Sequence, residues 1–132
     1  MSDVNIYYQK HHLNTLPANL ACPCCGEFNQ NPQFALLMRK LETVKNRLSY
    51  SLDLTSAYRC ALHPIESSKS KPGPHSIAAV HISVNRSKAF ELVMEALRIG
   101  INGIGINQGG PLAQRYIHLD LREKRKVWLG SS

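Results

Sequence analysis

The sequence predicts an α+β domain: a small, mostly antiparallel sheet with two main helices packed on one of its faces. Two observations lead there. Residues 34–48 carry apolar side chains at helical spacing, and two later stretches alternate with the period of a strand. The chain has 132 residues, 43% of them hydrophobic and 19% charged. That is the composition of one globular domain able to bury a core without cross-links.

Residues 1–21 read as an irregular arm, and 22–132 as the domain proper. The domain opens on "CPCCGEFNQNP", a knot of turn-forming residues. Asn31 can cap a helix whose first position is Pro32. Phe34, Leu37, Leu41, Val44 and Leu48 then step by three and four, one stripe facing a core. "LDLTSAY" at 52–58 reads as a strand from its β-branched and aromatic content. "ESSKSKPGP" at 66–74 is a loop, stiffened by Pro72 and Pro74.

In the strand "SIAAVHISV", Ala78, Val80, Ile82 and Val84 share a wholly apolar face, which should lie on the helices. His81 shares the other face with Ile77, Ala79 and Ser83. A second helix is predicted over 87–99, with Phe90, Val93 and Leu97 inward and Gly100 ending it. "INGIGINQGG" reads as a short glycine-punctuated strand and turn. "RYIHLDL" at 115–121 alternates again, with Tyr116, His118 and Asp120 on one face and Ile117, Leu119 and Leu121 on the other.

The net charge of +7 suits an anionic partner such as nucleic acid, an anionic membrane or a bacterial wall. The last basic cluster, "REKRK" at 122–126, is broken by Glu123, and no nucleic-acid recognition motif accompanies it, so specific nucleic-acid binding is not expected. No apolar run approaches the roughly 20 residues of a membrane span. The N-terminus lacks a secretory signal pattern, so synthesis in a cytosol is expected.

Each alternating strand carries a histidine on its non-core face. If the two strands are neighbours, His81 and His118 sit side by side, and His75 at the mouth of the preceding loop can fold over the same spot. Three neutral imidazoles with a fourth position open is the arrangement of a catalytic zinc. Asp120, two residues beyond His118 on the same face, could orient a ligand.

"TSAYRCALHP", "PGPH" leading into a small-residue strand, "GIGI", "RYIHLDLRE" and the closing "VWLGSS" together resemble the zinc D-alanyl-D-alanine carboxypeptidases and phage endolysin peptidases, which share the hedgehog-like fold. The resemblance runs from about residue 20 to the C-terminus and rests on the order of the motifs. It implies Zn2+ bound by His75, His81 and His118. It also implies substrate binding by the "Ser56-Ala-Tyr58-Arg59" segment, with Arg59 steadying the substrate. The implied substrate is a peptidoglycan stem peptide, cleaved at the cell wall by a phage-released lysin. Virion or phage structural proteins are possible partners.

The sequence departs from that family at two places. Its pattern His-x-x-Gly-x-Ala-x-Asp carries an aspartate where this chain has His81, one residue early, and the exchange raises the site's charge by one. Its hydrolases also use a carboxylate shortly before the last histidine as general base, whereas "GIGINQGGPLAQRYI" contains no acid. Asp120 is the nearest candidate for that task and Glu66 a remoter one; Gln114 cannot take a proton at neutral pH. A second reading therefore stands beside the peptidase: a zinc-binding structural or virion-associated domain derived from one.

Cys22 and Cys25 have C-x2-C spacing, and Cys60 with His63 has C-x2-H spacing, a composition that suits a structural zinc. Reduced, buried thiols are the other reading. A bridge from Cys24 or Cys25 to Cys60 fits only a protein working outside the cell.

Overall fold

The computed structural model describes residues 22, 26, 29, 31–48, 50, 52–56 and 78–130, with Ser56 by its backbone. Among the described residues the fold is α+β, two α-helices and a five-stranded mixed sheet, as the alternation and the stripe predict. The arm at 1–21 and the loop at 66–74 lie outside the described residues.

Helix α1 spans Pro32–Leu48. Asn31 caps it, its Oδ1 accepting the Gln33 N–H at 2.9 Å, with Pro32 first in the helix, where a missing N–H costs nothing. Phe34, Leu37, Met38, Leu41 and Val44 are buried, and Leu48 packs at the edge of the same cluster.

Strands β1 (Leu54–Ser56), β2 (Ala79–Ser83), β3 (Gly103–Asn107), β4 (Tyr116–Asp120) and β5 (Lys126–Leu129) form one sheet in the order β1-β2-β4-β3-β5. Helix α2 (Arg86–Arg98) connects β2 to β3. Both strands run antiparallel to β4, which lies between them. The parallel β2–α2–β3 crossover therefore has β4 slotted into its middle. β5 pairs with β3 in parallel and forms an edge. Sequence alternation alone did not mark it, because three of its four residues are exposed and a basic run leads into it.

Val80 and Ile82 of β2, Ile104 of β3 and Ile117 and Leu119 of β4 face the helices and are buried. α2 meets them through Ala89, Leu92 and Ala96. Val93 and Leu97 pack at the flank of the core, but Phe90, expected inward, is 66% exposed. Two alanines let the helix lie close to the sheet, and that rotation turns position 90 outward.

α2 ends as Gly100 predicts, with φ 85°. The Ile101 N–H bonds the Ala96 carbonyl at 3.0 Å and the Gly100 N–H bonds the Leu97 carbonyl at 3.3 Å, a Schellman closure. Lys40 Nζ of α1 donates to the Ile99 carbonyl at 3.0 Å, tying the two helices together. Among the described residues no helix is long and apolar enough to cross a membrane.

Candidate metal centre

The antiparallel β2–β4 register sets His81 directly opposite His118, so the two strands are the neighbours that the histidine reading needed. The register continues through the sheet: Ser56 pairs with His81, His118 with Gly105 and Gly105 with Trp128. One row of five strands thus carries both histidines, on the face turned away from the helices. The adjacent row pairs Ala79 with Asp120, Asp120 with Gly103 and Gly103 with Lys126.

The imidazoles of His81 and His118 meet edge-on with centroids 5.2 Å apart. Tyr116 stacks on His81 at 4.3 Å, which fixes that ring from the side away from Asp120. Trp128 lies 5.1 Å from His118. It reaches that position because β3 has glycine at 105, where a Cβ would stand 2.8 Å from the indole ring. The indole N–H is buried and finds no acceptor among the described residues.

Asp120 binds the cluster together. Its Oδ2 accepts from His118 Nε2 at 2.7 Å and from Arg122 Nη2 at 2.6 Å. Its Oδ1 accepts from Arg122 Nε at 2.9 Å and from the Arg122 backbone N–H at 3.1 Å. Gly103 makes room for this carboxylate, since any Cβ there would occupy its place. Arg122 in turn lies over the Trp128 ring, 4.5 Å from its centroid. Burial alone would push the Asp120 carboxyl up. The Arg122 and His118 hydrogen bonds and their charges outweigh it and hold the group well below the usual carboxylate range. The same fork raises the already high pKa of Arg122.

An ionised Asp120 can only accept, so His118 Nε2 carries the proton in that bond. In the neutral form of the ring the lone pair then lies on Nδ1. This is how a carboxylate sets the tautomer of a metal-ligating histidine. Two imidazoles from neighbouring strands, one of them backed by a carboxylate, are donors of the type that zinc takes. Among the described residues no three His, Cys, Asp or Glu side chains stand together as a set able to hold a metal. His75, the expected third ligand, lies outside the described residues, as do Tyr58, Arg59, Cys24, Cys25, Cys60, His63, Glu66 and the Ser56 side chain. Cys22 is buried.

Sequence reasoning missed three members of this cluster. In the sequence Arg122 belongs to a basic run, Trp128 to the closing motif, and Tyr116 only shares a strand face with His118. The signal that finds Arg122 is its i+2 spacing from Asp120, across the end of β4. Neither family models nor curated proteins nor solved structures give a match to this chain.

Proposed function

We propose that the chain is a zinc-dependent peptidase acting on peptidoglycan stem peptides, with His81, His118 and His75 as the metal ligands. The observation that carries the reading is the cross-strand pair of imidazoles with centroids 5.2 Å apart, with Asp120 bonded to Nε2 of His118. The substrate class comes from the motif order of the sequence and from the net charge of +7, which suits an anionic wall. Zinc in such a site supplies Lewis-acid polarisation of a carbonyl and acidification of water. The chain's own residues do the positioning. Arg122 clamps Asp120, Asp120 fixes the His118 tautomer, Tyr116 holds the His81 plane, and Arg59 is assigned the carboxylate of the peptide.

A specific observation favours a second reading, a zinc-binding domain without hydrolysis. Asp120 accepts four hydrogen bonds and is held far below the proton affinity a general base needs near neutral pH. The hairpin from Gly103 to Ile117 contributes no acid.

Metal analysis joined to muropeptide mass spectrometry separates the two. The peptidase reading expects one zinc per chain, lost in His81→Ala and in His118→Ala, and new free ends on purified muropeptides. Zinc without cleavage leaves the binding domain. No zinc at all ends both readings.

A further inference from the structure

On the sheet face opposite the histidines, a cleft of about 310 Å³ opens between α2 and the β3–β4 hairpin. Ile106 and Ile117 line it from the sheet, and Ala89, Phe90 and Val93 from the helix. Arg86 and Arg115 complete the lining together with Gln108, and no acid is among the described lining residues. The Gln108 amide nitrogen is already engaged by the carbonyls of Val84, Asn107 and Tyr116 at 2.9 to 3.3 Å.

The two arginines are not so engaged. Arg115 uses Nε on the Gly110 carbonyl at 2.9 Å. Among the described residues its terminal nitrogens have no acceptor, and the Arg86 side chain makes no hydrogen bond or ion pair. Arg86 is also the one non-glycine among the described residues with a positive φ, 56°. Side chains other than glycine seldom adopt that conformation, and such strain collects where ligands bind.

We propose that this cleft binds a medium-chain aliphatic monocarboxylate, its tail on Phe90, Val93, Ile106 and Ile117 and its head on Arg86 and Arg115. An apolar recess with a few convergent polar groups is the usual form of a small-molecule site. At about 30 Å³ per water-sized group, the cleft takes about ten such groups, the non-hydrogen atom count of octanoate. Guanidinium and carboxylate match in charge and in planar geometry. The site is separate from the histidine face and owes nothing to the zinc reading.

The test is a methyl NMR titration of the full chain in EDTA with sodium octanoate, and separately with octan-1-ol. Saturable shifts are expected at Val93, Ile106 and Ile117. The alcohol should bind at least about tenfold more weakly, the loss of a charge-assisted contact. The double variant Arg86→Gln/Arg115→Gln should bring octanoate down to the level of the alcohol, and Val93→Trp should block both. Equal affinity for acid and alcohol, shifts centred on Ala79 on the histidine face, or no saturable binding would each overturn the proposal. The acid–alcohol comparison uses the unaltered chain, so it decides the matter whether or not the arginine variant folds.

Discussion

Strand β4 offers two kinds of buried surface on alternate residues. Ile117 and Leu119 face the helices at 0% exposure, while His118 and Asp120 face the other way at 3% and 1%. Burial of the first pair needs only apolar area and a matching shape, about 25 cal/mol for each Å² removed from water. Burial of the second pair needs partners, because a carboxylate out of water costs several kcal/mol unless it is bonded and paired. Four hydrogen bonds, one from His118 and three from Arg122, supply them. A core face of this kind accepts exchanges of equal volume. The polar face accepts the loss of no member, and this difference is open to measurement.

The largest effect is expected at Gly103. In Gly103→Ala the new Cβ takes the position of the Asp120 carboxylate, so the His118–Asp120–Arg122 cluster must break or the strand must move. A loss of about 4 kcal/mol in urea unfolding follows, overpacking added to a broken buried pair. Gly109 has open space around it, and Gly109→Ala should stay within about 0.5 kcal/mol of the parent. Equal effects at the two glycines would mean that Asp120 is not held as described.

Next come Ile117→Ala and Asp120→Asn, each expected to cost about 3 kcal/mol near neutral pH, through a cavity in one case and an unpaired guanidinium in the other. The pH dependence tells them apart. The folded pKa of Asp120 is depressed, so its contribution is fully present above the unfolded carboxylate value of about 4 and fades as the pH falls below that. In metal-free protein the deficit of Asp120→Asn should therefore shrink between about pH 4 and pH 2, while that of Ile117→Ala should not. Parallel deficits across that range would remove the ion pair from the account.

The helix face was the legible one. Period and capping chemistry are local signals, so the α1 stripe, the Asn31–Pro32 start, the Gly100 stop and the two alternating strands could all be read from neighbours in sequence. The pairing of His81 with His118 could be stated only as a condition, because strand order is a long-range property that alternation does not encode. Arg122 and Trp128 were out of reach for a different reason. Their partners are set by two glycines on a third strand, and a glycine in a strand pattern does not announce which side chain will cross it. Phe90 was misread because helical periodicity fixes a stripe's spacing but not its rotation; Ala89 and Ala96 decided that.

A smaller effect belongs to the helix layer and to the opposite end of the pH scale. The Tyr50 hydroxyl donates to the Lys88 carbonyl at 2.8 Å, joining α1's end to α2. Burial, with the charge of Glu91 adding to it, pushes the hydroxyl up to about 12. The raised value favours the neutral form in the fold, so this stability is present below the unfolded value near 10 and is lost as the pH rises through about 12. Tyr50→Phe should cost about 1 kcal/mol and remove one late step from the tyrosinate absorbance titration. Loss of a step near pH 10 instead would show that Tyr50 ionises like an exposed phenol.

The smallest effect is expected at Phe90, the residue whose orientation the helical pattern misjudged. With 66% of its surface in solvent, Phe90→Ser has little packing to lose and should shift stability by less than about 0.5 kcal/mol. Leu92, two positions on and fully buried, should lose about 3 kcal/mol as Leu92→Ala. The pair measures the rotation of α2 directly, since a helix turned to bury Phe90 would reverse the order of the two losses. A near-zero loss at position 90 also leaves the fold intact for ligand titration, so any change in octanoate affinity in Phe90→Ser is read on a folded protein.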